Sequence, residues 1–81
     1  MKLILHPGNG VSDRYMVVLK TTIRDLPATA AGLARVHNGS LFAVWTSIQA
    51  FGIDLADSEA GPLSGEASVC YVEQDAVATG A

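Results

Sequence analysis

Apolar and polar positions alternate over residues 1–6, MKLILH, and the stretch 14–23, RYMVVLKTTI, is rich in β-branched and aromatic side chains. Alternation and this composition belong to strands with one buried face. Between them, residues 7–13 contain the run PGNG, whose proline, asparagine and glycines favour turns or accept a positive φ. The pattern predicts a β-hairpin with a loop longer than a tight turn.

The period changes at Asp25. RDLPATAAGLARVH, residues 24–37, reads as a helix. Asp25 is placed to cap it, and Pro27 falls in the first turn, where a missing N–H costs nothing. Ala28, Ala30, Ala31 and Ala34 favour the helix, while Gly32 weakens it by roughly 1 kcal/mol relative to alanine. Asn38 and Gly39 are natural left-handed terminators. Ser40 is then placed to cap a second helix, along which Leu41, Val44, Trp45, Ile48 and Phe51 recur at i, i+3, i+4, i+7 and i+10. That spacing makes one apolar face, with Trp45 in the core and Gly52 as the stop.

Residues 53–66, IDLADSEAGPLSGE, read as a loop, because Gly61, Pro62 and Gly65 interrupt any regular element. ASVCYVEQ, residues 67–74, is the last strand. The order β-β-α-α-β predicts an α+β fold, a small antiparallel sheet of about three strands with two helices on one face. Residues 1–75 form a single compact domain, and 76–81 are expected to fray.

Strand alternation sorts the side chains. Leu3, Leu5, Tyr15, Val17, Leu19, Cys70 and Val72 are expected to meet the helices. Ile4, Met16, Val18, Val69 and Tyr71 are then left on the other face. Two helices cover one face only, so this second apolar face calls for the 53–65 loop, a second copy in a homodimer, or a target protein.

Composition sharpens that expectation. Of 81 residues, 49% are apolar and 16% charged. Such a chain is ordered, yet its core is small, and shared apolar surface is the natural result. The single cysteine, Cys70, allows no internal disulfide. The N-terminal apolar run is too short for a signal core or a membrane span, which predicts a cytoplasmic protein with no membrane partner. Residues 1–53 carry five bases and two acids, whereas 54–81 carry six acids and no base. The acidic half is either an ordinary solvated surface or a face that meets a basic partner.

Candidate chemistry is sparse. Two helices meeting at His-Asn-Gly outline a helix-turn-helix over residues 26–51. Its outward positions, Phe42, Ala43, Thr46, Ser47, Gln49 and Ala50, include no base, so direct nucleic-acid binding is not favoured. Arg35 also stands where repressors of that type place an alanine. A helical hairpin covering a sheet is the simpler reading. HPGNG matches no phosphate-binding motif and precedes no helix. His6 and His37 have no partner at metal-ligand spacing, and Asp54, Asp57 and Glu59 lack the EF-hand order. Cys70 lies in an apolar strand, where a buried thiol is inert, and no serine or cysteine belongs to a catalytic motif. The chain is expected not to be an enzyme and to need no metal or cofactor.

In size, acidity and orphan α/β character the whole chain resembles the small phage-encoded inhibitors known as anti-CRISPR proteins. That resemblance implies binding to a CRISPR effector subunit and obstruction of its nucleic-acid site. Asp54, Asp57, Glu59, Glu66 and Glu73 would face lysines and arginines of the target. Met16 and Tyr71 of the outer sheet face, or Phe42, would supply an apolar anchor. A DNA-binding regulator and a homo-oligomeric accessory subunit are the alternative readings.

Overall fold

A computed structural model describes residues 4–5 and 10–76 of the chain, with side chains over 13–74. Strand β1 is Ile4–Leu5, β2 Gly10–Leu19, helix α1 Leu26–Val36, β3 Ser40–Trp45, β4 Ala50–Asp54, α2 Asp57–Ser64 and β5 Val69–Ala76. A 3-10 turn over Thr46–Ile48 joins β3 to β4. The fold is α+β. Its five-stranded sheet runs β1-β5-β2-β4-β3, antiparallel except where β1 pairs with β5.

The first helix forms as its residues dictate. The Asp25 side chain accepts from the Ala28 N–H at 3.1 Å, and Pro27 lies in the first turn. Asn38 takes the left-handed conformation at φ 59°, which lets the Gly39 N–H donate to the Ala34 carbonyl at 2.7 Å. Leu26, Ala30, Leu33 and Ala34 are buried against the sheet.

The second helix expected over 40–51 is instead β3, the 3-10 turn and the start of β4. Ser40 opens a strand rather than capping a helix. The sequence SLFAVW is rich in β-forming side chains, and all four residues of AFGI are buried, Phe51 and Ile53 within the core. The i, i+3, i+4 spacing therefore falls across two strands and their turn. Gln49 closes the turn at φ 54°, and its side-chain amide donates to the Ile23 carbonyl at 3.0 Å. Trp45 is not in the core but 39% exposed. Gly52 is not a helix stop. It lies mid-strand under the Phe42 ring, where a Cβ would sit 2.5 Å from Phe42 Cζ.

Residues 57–64, expected as loop, form α2 with Pro62 inside it. Its start is held from far along the chain. The Asp57 N–H donates to Asp13 Oδ1 and the Asp13 N–H donates to Asp57 Oδ1, both at 3.1 Å. This reciprocal pair does the work of a capping box across two elements. Burial of Ala60 and Leu63 outweighs the poor helix propensity of Gly61 and Pro62.

The expected hairpin of β1 with β2 does not form. Both edges of β2 are taken by β4 and β5, which offer longer ladders than a two-residue strand. The β1–β5 register sets Ile4 beside Val72 and Leu5 beside Glu73, the reverse of the alternation expected for β1. Leu3 lies outside the described residues. In β5 the register slips, so that Val18 pairs with Tyr71 and Leu19 with Val69. Cys70 is the extra residue of this bulge. Val69 is therefore buried and Cys70 exposed, both opposite to the simple alternation. Ala76, expected to fray, pairs with Gly10.

Both helices pack on the same face. Tyr15, Val17 and Leu19 of β2 form one core with Leu33 of α1, Leu63 of α2, Phe51, Ile53 and Val72. Each such side chain contributes roughly 1.5–3 kcal/mol by leaving water.

Candidate functional site

Among the described residues, the opposite face of the sheet bears no helix. Register places Arg14, Met16 and Val18 of β2 across from Asp54, Gly52 and Ala50 of β4. Ala43 and Trp45 of β3 continue these rows through Gly52 and Ala50, and Tyr71 and Glu73 of β5 flank Val18 and Met16. Phe42 is the extra residue between Leu41 and Ala43 in the β3 ladder, which turns its ring outward over Gly52.

One chain of contacts ties three strands together on this face. Arg14 Nε lies 3.1 Å from Asp54 Oδ1. The Arg14 guanidinium carbon stands 4.4 Å from the centroid of the Phe42 ring. Phe42 in turn meets Trp45 edge to face, with centroids 6.4 Å apart. Arg14 thus reaches from β2 across β4 to β3. The ion pair is half exposed and contributes at most about 1 kcal/mol, with a similar amount from the cation–π contact. Glycine at 52 is what lets the ring come this close to the β4 backbone.

Five of the eight residues singled out in the sequence share this face: Met16, Phe42, Asp54, Tyr71 and Glu73. The other three do not join it. The Asp57 carboxylate accepts from the buried Tyr15 hydroxyl at 2.5 Å as well as from Asp13. Burial, then the bond to Asp57 and the nearby carboxylate charges, push the Tyr15 phenol well above its ordinary range. Glu59 and Glu66 hold His37, at 3.1 Å from Nδ1 and 2.6 Å from Nε2.

His37 is a buried residue that spacing along the chain gave no reason to pair. It caps the end of α1, and its two carboxylate partners come from within α2 and just beyond it. A carboxylate only accepts hydrogen bonds, and a neutral imidazole has one N–H. Two carboxylates on opposite ring nitrogens therefore select the doubly protonated cation. Burial alone pushes the imidazole down, but the bonds to Glu59 and Glu66 and their charges raise it above its ordinary value. With both ring nitrogens so occupied, the cluster is a clip between helices and leaves no ring nitrogen for a metal. Among the described residues, no group of three or more His, Cys, Asp or Glu is arranged to hold a metal ion.

Cys70 stands at the rim of an open hollow with Lys20, Thr21, Ser47 and Gln49. Among the described residues no helix is long and apolar enough to cross a membrane. The helix-turn-helix outline over 26–51 fails, because its second helix is β3 and β4. Comparison with known families finds no family model that matches the chain, and comparison with curated proteins finds no match either.

Proposed function

We propose that this is a non-catalytic interaction protein that docks a protein partner on the helix-free face of its sheet. The observation that supports this reading is the segregation of the two faces. Both helices cover one, while Met16, Val18, Phe42, Trp45 and Tyr71 populate the other. An apolar centre with a charged rim is the usual anatomy of a docking surface.

One side of the rim carries Asp54 and Glu73 beside Arg14, which Asp54 already engages, while Lys20 follows Val18 at the far end of β2. The acidic side suits a partner that presents lysine or arginine beside an apolar contact. Asp57, Glu59 and Glu66 drop out of the proposed contact set, since they hold Tyr15 and His37. An anti-CRISPR type of inhibitor, which the size and acidity resemble, would use such a face to occupy a surface where an effector holds nucleic acid. Charge attraction would speed its encounter and fade with salt.

The test is co-elution of the purified protein with a panel of CRISPR effector complexes, repeated with Met16→Glu and Tyr71→Glu. Capture by one effector that both substitutions abolish supports the reading. Capture that survives both, or depends on Glu59 and Glu66 instead, moves the contact to the helical layer. No capture by any effector removes the inhibitor assignment.

A further inference from the structure

The large apolar side chains most exposed to solvent among the described residues are Val36, Phe42, Val44, Trp45 and Ile48. All fall within thirteen consecutive residues, 36–48, at the end of α1, along β3 and in the turn after it. Among the described residues β3 is also an edge strand, paired on one side by β4 and on the other by no described strand. Natural edge strands are blunted with charge, proline or a covering element. SLFAVW contains neither charge nor proline. Its one protective feature is the bulge at Phe42, and Ala43–Val44–Trp45 beyond it pair regularly with β4.

Charge identifies the occupant. Residues 36–53 include no Asp, Glu, Lys or Arg, the longest such run in a chain of net charge −3. Antiparallel pairing of a strand with its own copy sets identical segments against each other, where like charges directly opposite are destabilising. Two copies of this acidic chain brought together along β3 would oppose no like charges. A partner sought through its basic groups gains nothing there.

We propose that two copies associate through their β3 edges, about a two-fold axis, to make one continuous ten-stranded sheet. Val44, Trp45 and Ile48 of each copy are buried against the other, and the two helix-free faces become contiguous. This goes beyond the docking reading and stands or falls separately from it.

Light scattering coupled to size exclusion, across protein concentration, reads the association directly. The expected result is a doubling of mass with concentration, and return to the monomer mass in Val44→Lys, which places a charge on the edge as natural strands do. Met16→Glu, on the sheet face away from the edge, is expected to leave the doubled mass intact. Because Val44→Lys faces the helix side, hydrogen exchange on the unmodified protein gives an independent reading. Backbone amides within β3 should exchange about tenfold more slowly at high than at low concentration, while those of α2 are unchanged. A monomer at every concentration overturns the proposal. So does a dimer that Val44→Lys leaves intact, or one that Met16→Glu abolishes. Failure to capture a partner, with the dimer intact, defeats only the docking reading.

Discussion

His37 Nε2 lies 2.6 Å from Glu66 Oε2, and the opposite ring nitrogen faces Glu59. The end of α1 is thereby clipped to α2 and the segment that follows it. The His37 imidazole titrates above its ordinary value because the two carboxylates outweigh the effect of burial. A group whose folded pKa is raised stabilises the fold fully below its unfolded pKa, and that contribution is lost as pH rises through the folded value. Stability is therefore expected to fall as pH climbs from slightly acidic to alkaline, through the His37 titration. His37→Gln should flatten that slope. Denaturant melts across pH, with an NMR titration of the His37 ring, check both statements.

Much of the fold was legible because its signals are local. Asp25, Pro27 and Asn38 mark both ends of α1, and alternation picks out Tyr15, Val17 and Leu19 as the buried row of β2. The segment after Ser40 was ambiguous, since Leu41, Val44, Trp45 and Ile48 satisfy a helical period while their chemistry favours strand. The local signals for α2 oppose one another, with Asp57 and Glu59 in its first turn against Gly61 and Pro62 within it, and its capping partner Asp13 is 44 residues away. Met16, Tyr71, Asp54 and Glu73 reach one face through plain alternation, but Phe42 reaches it through a bulge, and His37 finds its carboxylates only after the helices pack.

The Asp13–Asp57 exchange of hydrogen bonds should be measurable as a cap. Asp13 sits at φ 63°, a conformation glycine accepts freely, so Asp13→Gly removes the carboxylate without adding strain. The expected cost is about 1 kcal/mol. Asp13→Asn keeps an accepting oxygen and should cost less. Urea midpoints of the two variants make the comparison.

Gly52 and Phe42 form a size-matched pair. A Cβ at position 52 would meet the Phe42 ring at 2.5 Å, so Gly52→Ala is expected to displace the ring and destabilise by about 1–3 kcal/mol. Combining it with Phe42→Ala should cost less than the two changes summed, because the clash is then gone. Thermal melts of the three variants supply the cycle. Loss of Phe42 fluorescence-silent contacts with Trp45 should also shift the tryptophan emission.

Tyr15→Phe removes the hydroxyl bond to Asp57 and is expected to cost about 1–2 kcal/mol. In the intact protein the Tyr15 phenol stays protonated above the pH at which an unfolded tyrosine ionises. Its raised pKa means that stability falls once the pH exceeds about 10, as the unfolded chain ionises first. Ultraviolet absorbance during an alkaline titration, compared between Tyr15→Phe and the parent, reads this ionisation.

The central position of β2 also governs how the protein is made. This strand leaves the ribosome before either of its neighbours, because β4 and β5 are encoded at residues 50–54 and 69–76. Until residue 54 is made β2 waits with both ladders open, and one flank stays open until β5 follows. Premature termination anywhere before β5 therefore yields a nascent chain with an unzipped central strand. Such chains are natural clients for chaperones and proteases, and completion of β5 is the event that closes both ladders of β2.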